Sequence, residues 1–363
     1  MTLTPYTVGI VGTGWRADFF ARLAQLMPDR FTLVGVAARR TESAERATAR
    51  WQVPGYLDPG ELQRRQRPDF VVSSVPWPAN PAVLTDVVGA GGRVLSETPP
   101  APDEAGLRAL WDAVGDRRMV QVAEQYLLLP AHAARMAVVR GGVIGTPTSV
   151  QVSSTHGYHA VSMMRGFLGA GFGPATVCAR TFDAPLVDPL TRAGWTDDDT
   201  EKPATTIIAT VDLGDGLSGL YDFTDNQWHN QLRFRRILIR GSRGEIDDNR
   251  VIRLAEPRGI TESELRRYQL GHDLNLDGHD TEHFSFDGTI VYRNPFVGHR
   301  LMDEEIAIAS IMAATGAWAR DAGPAPYPLA DGCQDHLISL AIDESALTGE
   351  PVTTSVGPWS DAG

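Results

Sequence analysis

The sequence predicts an α/β domain with a parallel sheet, followed by an α+β domain whose sheet is largely antiparallel. Three observations carry this reading. Short apolar runs alternate with helix-patterned runs over the first third of the chain, two glycines separate the first such run from the helix after it, and beyond Thr148 hairpin punctuation replaces the helices.

The elements follow in order. TVGIV is a short apolar strand, Gly12 and Gly14 turn the chain, and WRADFFARLAQL continues with apolar residues at helical spacing. FTLVGVA is a second strand, ESAERATARW a polar helical run, DFVVSSV a strand and ANPAVLTDVVGAG a helix. RVLSE, PDEAGLRALWDAV and MVQVAEQ repeat the alternation. Short links between such units imply a parallel sheet covered on both faces, with ligands at the carboxyl ends of the strands. PAHAARMAVVRGG and TSVQVSST lead out of this unit, and two histidines three apart stand where the next helix begins, at THGYHAVSMMRGFLG. Strands then dominate: ATVCARTF, the hairpin TTIIATVDLGDGLSGLYDF and LRFRRILIRGSRGEID. LMDEEIAIASIMAATGAWA and DGCQDHLISLAIDESALTG read as helices, the second stopped by Gly349 and Pro351, and the tail SVGPWSDAG reads as loosely ordered.

Composition narrows the partners. The 363 residues carry a formal charge of −12, 42% are hydrophobic, and no run of about 18 apolar residues can span a bilayer. A cytoplasmic protein with no basic-plus-apolar leader is expected. The acidic balance repels phosphate backbones, so neither nucleic acid nor a membrane is expected as a partner, and a small molecule is. Cys178 and Cys333 lie far apart without a CxxC pairing, which indicates neither a disulfide framework nor a zinc site.

Three stretches are candidates for chemistry. Gly12-Thr13-Gly14-Trp15-Arg16-Ala17 is GxGxxA between strand and helix, suited to a dinucleotide pyrophosphate at a helix N-terminus. The second strand ends in Ala38-Arg39-Arg40, where an acidic residue would hold the ribose of NAD; Arg39 or Arg40 suits the 2′-phosphate of NADP, and a solvated strand end is the plain alternative. Thr155-His156-Gly157-Tyr158-His159 offers proton carriers at a helix N-terminus, where imidazole is held neutral, or a packed domain interface. Asp273 to Gly278 starts like a calcium loop, but the twelfth position is Phe284 and not a bidentate Glu; His279, Glu282 and His283 read as loop, and no metal site is expected.

GxGxxA, Pro76 after VVSSV, Glu97-Thr98-Pro99 and Gly157-Tyr158-His159 together resemble the Gfo/Idh/MocA oxidoreductases over nearly the whole chain. The resemblance implies a Rossmann domain over residues 1–126 and an α+β domain over 127–363 with an open, mostly antiparallel sheet, whose last helix packs back on the first domain. It also implies a homodimer or homotetramer through that sheet. The activity it implies is hydride transfer between NAD or NADP, with NADP preferred, and a carbon of a sugar, cyclitol or related polyol. Cofactor-binding residues are expected at Gly12, Thr13, Gly14, Trp15, Arg16, Ala38, Arg39, Pro76 and Glu97, and substrate-binding residues at Thr98, Thr155 and Tyr158. The family's Glu-Lys-Pro lysine is Thr98 here, and its Asp four residues before the catalytic His is Thr155. A threonine hydroxyl cannot serve as general base near neutrality. Proton transfer is therefore expected of His159, helped by His156 and Tyr126. The missing lysine also fits relatives that oxidise a sugar ring carbon transiently and eliminate the aglycone, and a non-catalytic relative is the third reading.

Overall fold

The computed structural model describes residues 4–271 and 280–362. Six parallel strands form the first sheet: β1 (Tyr6–Val11), β2 (Phe31–Ala37), β3 (Gly55–Tyr56), β4 (Phe70–Ser73), β5 (Val94–Ser96) and β6 (Val120–Val122), in the order β3-β2-β1-β4-β5-β6. Their connections are α1 (Trp15–Leu26), α2 (Thr41–Trp51), α3 (Pro59–Gln66), α4 (Asn80–Gly89) and α5 (Glu104–Val114). The order reverses beside β1, so the carboxyl ends of β1 and β4 open a crevice. Sequence reading missed α3. It is eight residues long and polar, with Leu62 as its one large buried apolar side chain, but Asp58 caps it by accepting from Glu61 N and Pro59 opens it.

The second unit starts with α6 (Pro130–Arg140), β7 (Pro147–Ser153) and α7 (Gly157–Leu168). Then come β8 (Thr176–Val187), the small hairpin β9 (Leu190–Thr191) and β10 (Gly194–Trp195), β11 (Glu201–Asp212), β12 (Ser218–Thr224), β13 (Arg236–Gly241), β14 (Gly244–Asp247), β15 (Arg250–Glu256) and β16 (Gly259–Glu264). The chain continues through β17 (Arg266–Gln269), β18 (Thr281–Phe286), β19 (Thr289–Arg293), α8 (Asp303–Ala319), α9 (Leu329–Thr348) and β20 (Val352–Thr353). Nine of these strands make one open sheet, β16-β15-β14-β13-β7-β12-β11-β8-β20, antiparallel except for the β7–β12 pair. β17, β18 and β19 form a separate three-stranded sheet. The Asp273 to His279 stretch lies outside the described residues; His283 sits on β18, stacked on Tyr268 at 4.5 Å.

Two late helices complete the first unit. Ile306, Ile308, Ile311 and Met312 of α8 pack with Phe20 and Leu23 of α1 on one face of the parallel sheet. Leu329, Cys333 and Leu337 of α9 join Leu84, Leu107 and Leu110 on the other. The tail is ordered, contrary to the sequence reading. Trp359 is 0% exposed, its indole N–H donates to Gln334 at 2.8 Å, and its ring meets Trp111 edge-on. β20 also pairs with β8, so apolar burial and sheet hydrogen bonds hold a segment whose Gly and Pro content suggested neither.

α7 is fixed from two sides. The Arg165 guanidinium, buried, bonds Asp335 at 2.6 Å and Asp331 at 3.1 Å on α9. Gly157 adopts φ +43°, and a Cβ there would lie 2.7 Å from Ser339 Oγ, so only glycine lets the start of α7 approach α9. At the strand ends, buried Asn80 accepts from Ser73 Oγ (2.6 Å) and donates to Ser96 Oγ (2.8 Å) and the Pro100 carbonyl (3.0 Å). It ties β4 to β5 and sets the 97–100 segment. Asn80→Ala leaves these groups buried without partners, and urea unfolding should show stability falling by about 2–4 kcal/mol; a loss below about 0.5 kcal/mol would show that the network does not hold the segment.

Candidate active site

Between the two units lies a cavity of about 1950 Å³. That exceeds the ~300–1,000 Å³ usual for one small ligand, as suits a dinucleotide and a substrate side by side. Its nucleotide end is built by the first glycine turn. Gly12 has φ +119°, its N–H donates to the Ala37 carbonyl at 2.9 Å, and a Cβ would stand 2.0 Å from the Ser74 carbonyl oxygen. The turn is thereby pressed flat on the end of β4. Gly14 caps α1 with no side-chain bond, and the space its Cβ would occupy is open, leaving free N–H groups and the positive end of the helix dipole facing the cavity. These features fit a pyrophosphate.

Thr13, Trp15, Ala38, Arg39 and Pro76 border the same end. Arg39 and Arg40 are exposed and form no ion pair among the described residues. Arg16 and Glu97 also border it, but their side chains are committed elsewhere. Arg16 Nε donates to Glu97 at 2.8 Å and its NH1 to Glu304 of α8 at 2.9 Å. Burial works against that charge, yet the two carboxylates outweigh it and hold the guanidinium above its usual pKa. Their side chains therefore lock the glycine turn to β5 and α8 and are not free ligands for the nucleotide, which corrects the sequence expectation.

At the other end the chain gathers proton carriers. β7 ends at Ser153, and His156 caps α7 in an extended conformation without a side-chain cap bond. One turn on, His159 Nδ1 lies 2.6 Å from Glu124 Oε2, and both side chains are buried. The other Glu124 oxygen accepts the Tyr126 N–H at 3.1 Å. The Tyr126 and Tyr158 rings each centre 4.4 Å from the His159 ring, and His156 stands 5.2 Å away. Trp228 flanks His156 at 5.0 Å. Burial, and then the proximity of His159, pull His156 down to about 4, so it is neutral at pH 7. Burial pushes the Tyr126 phenol up to about 12, against a smaller opposing pull from Thr155, and pushes Tyr158 higher still. Both phenols remain donors. Thr98 lines the cavity, and its carbonyl accepts from the Tyr158 hydroxyl at 3.5 Å.

Thr155 is the expectation that the structure overturns. It is 0% exposed and does not border the cavity, because the chain turns inward between β7 and α7. Sequence reasoning also missed Glu124. The available signal was a carboxylate at the end of an otherwise apolar strand, beside a tyrosine already singled out. Of the loop after β12, His229 borders the cavity, whereas Asp225 and Asn226 bond to Thr205 and Asp188 and serve the loop itself.

Residues 6–124 match the model of an oxidoreductase family with an NAD-binding Rossmann fold, GFO_IDH_MocA. The first unit is thus similar to the NAD-binding Rossmann domain of the Gfo/Idh/MocA oxidoreductases. Solved structures with the same fold extend the likeness along the whole chain. An oxidoreductase from Agrobacterium radiobacter, in complex with NAD+, L-tartaric acid and magnesium, is 16% identical over 96% of this chain and 98% of its own, with a TM-score of 0.68. An NAD-binding oxidoreductase from Klebsiella pneumoniae is 17% identical over 97% and 99%, at 0.67. A levoglucosan dehydrogenase in complex with NADH and levoglucosan is 19% identical over 97% and 100%, also at 0.67. No curated protein matches the chain. His159 stands in the first turn of α7, and the carboxylate beside it comes from Glu124, just beyond β6.

His156 gives the site a pH signature. Its folded pKa lies below the unfolded value near 6.5, so between those values the unfolded chain binds more protons and stability falls as the pH drops from about 6.5 toward 4. The contribution is at most about 3 kcal/mol. Urea unfolding at pH 7.5 and pH 5 should show a smaller acid loss in His156→Phe than in the unchanged protein; equal losses would mean that His156 does not titrate in this way.

Proposed function

We propose that the protein is an NAD(P)-dependent oxidoreductase that moves a hydride between nicotinamide and a carbon of a sugar, cyclitol or related polyol, with His159 exchanging the hydroxyl proton. Residues 1–126 hold the nucleotide, and residues 127–363 shape the substrate site and form a homodimer or homotetramer through the open sheet. The observation that carries this reading is the Glu124–His159 pair at 2.6 Å, facing a cavity that begins at an uncapped, glycine-lined helix N-terminus.

Glu124 holds the proton on Nδ1, which leaves Nε2 as the acceptor. In the oxidative direction Nε2 takes the proton of the substrate hydroxyl as the hydride leaves the same carbon; the buried Glu124 carboxylate then stabilises the imidazolium. In the reductive direction the same nitrogen returns the proton to the new alkoxide. Tyr126, Tyr158 and Thr98, all neutral at pH 7, donate hydrogen bonds that orient the substrate hydroxyls. Bound nicotinamide supplies the hydride acceptor. A carboxylate just beyond β6 makes the family's Asp before the histidine dispensable, and Thr98 in place of lysine passes the proton to His159.

The levoglucosan dehydrogenase structure with a sugar and NADH supports the sugar-like substrate class. Arg39, just past β2 and without an ion pair among the described residues, supports NADP over NAD. Two free cysteines, Cys178 and Cys333, support a cytoplasmic location. A second reading, transient oxidation within a glycoside-cleaving cycle that retains NAD, is favoured by one feature. The β9–β10 hairpin lays Arg192 over the Trp15 ring at 3.8 Å, a strap from the second unit across the glycine turn that suits slow nucleotide exchange.

With a true substrate, His159→Ala should lower kcat by about 100-fold or more, and Glu124→Gln should lower kcat with KM little changed. A His159→Ala enzyme within a few-fold of the unchanged protein would refute the assignment. Native mass spectrometry with NAD, NADH, NADP and NADPH tests the nucleotide. The expected result is empty protein that takes up NADP(H) preferentially, a preference that Arg39→Ala removes. Protein that arrives with NAD firmly held would replace this with the retained-cofactor reading.

A further inference from the structure

One wall of the cavity is basic, although the chain carries 45 acidic against 33 basic residues. Leu129, His132 and Arg135 repeat at three-residue spacing, share one face of α6 and border the cavity beyond Tyr126. Arg135 is 7% exposed, yet it forms no ion pair among the described residues. Its Nε donates to the Asp248 carbonyl at 2.6 Å and its NH2 to the Asn249 side-chain carbonyl at 3.2 Å. Its NH1 meets His132 Nδ1 at 3.0 Å. All three acceptors are neutral. Burial, and then Arg135 itself, hold His132 well below its usual pKa, and the Asp248 carboxylate accepts the Ile237 N–H at 3.0 Å. Of five guanidinium N–H groups, two remain.

Burial lowers Arg135 to about 10 against a smaller opposing pull from the Asp248 carboxylate, so at pH 7 a largely desolvated cation stands at the cavity wall with no ion pair among the described residues. Bracing the Asp248–Asn249 turn against α6 needs donors but no charge, so the charge itself calls for another explanation. Arg235 and Arg236, exposed at the start of β13, border the same region and are likewise without an ion pair among the described residues. Of the cavity's other carboxylates, Glu97 and Glu304 bond Arg16 and Asp303 bonds Arg267, while Asp86 stands on α4.

We propose that this wall receives an anionic group of the substrate, a carboxylate or a phosphate ester on a sugar-like body, with Arg135 as the buried anchor and Arg236 at the rim. The inference rests on the substrate class proposed above and narrows it from neutral polyols to sugar acids or sugar phosphates. Calorimetry on the protein loaded with NADP tests it without turnover, using D-glucuronate, D-glucose 6-phosphate and D-glucose as probes. One charged probe should bind at least about tenfold more tightly than glucose, and which one it is separates carboxylate from phosphate. Arg135→Gln should abolish the preference while NADP binding stays unchanged. Arg236→Gln should weaken it a few-fold and flatten its dependence on ionic strength.

A merely structural Arg135 would behave otherwise: Arg135→Gln would unfold at lower urea and keep the preference, and that result overturns the proposal. Charged probes that bind no better than glucose in the unchanged protein overturn it too. Should Arg135→Gln fail to fold, Arg236→Gln and the ionic-strength dependence of the unchanged protein decide, and a preference insensitive to both overturns it. Intact nucleotide uptake beside an absent preference defeats the anionic subsite alone; absent uptake of both NADP and NAD defeats the oxidoreductase reading beneath it.

Discussion

A carboxylate with 3% exposure has to be compensated where it stands, and Glu124 meets that demand across the seam between the two units. One oxygen accepts the Tyr126 N–H within its own segment, and the other reaches His159 on α7. The first unit thus supplies the charge and the second supplies the imidazole. Neither is complete alone, and their relative placement is set by the bonds that seat α7: Arg165 on Asp335 and Asp331, and Gly157 against Ser339. Were α7 to slide by one turn, about 5.4 Å, the carboxylate would be left buried and unpaired, at a cost of about 3–5 kcal/mol.

The ion pairs at the nucleotide end do similar work. Arg16 leaves the glycine turn and reaches Glu97 beyond β5 and Glu304 on α8, so three segments distant in sequence meet on one guanidinium. Planar, forked donors suit that task, which a lysine could not do with the same geometry. The pyrophosphate cradle is left to backbone N–H groups and the helix dipole, which need no particular side chain.

Much of this was legible in the sequence, for identifiable reasons. Strands β1, β2, β4, β5 and β6 are apolar runs bounded by turns, and the glycine turn has few other uses in that context. His156 and His159 were found because two proton carriers three apart at a helix start are unusual. What could not be read is non-local. Glu124 becomes a partner of His159 only when β6 and α7 meet, 35 positions apart in sequence. Thr155 was expected at the substrate because it stands where the resembled family carries an Asp, yet it is buried between β7 and α7. α3 carries too little apolar periodicity to register, and the strands between Arg250 and Arg293 pair in short, bulged hairpins whose alternation is blurred. The basic wall joins α6 to a hairpin turn more than a hundred positions away, and no window along the chain contains both.

The placement of α8, α9 and Trp359 sets an order of events during synthesis. The parallel strands leave the ribosome before α8 and α9, and both faces of their sheet wait for helices encoded after eight of the nine strands of the open sheet. Until those helices arrive, Phe20, Leu23, Leu107 and Leu110 have only part of their apolar cover. The nucleotide-holding half is therefore begun first and finished last, and the nascent chain depends on the cell to shield that surface in the interval.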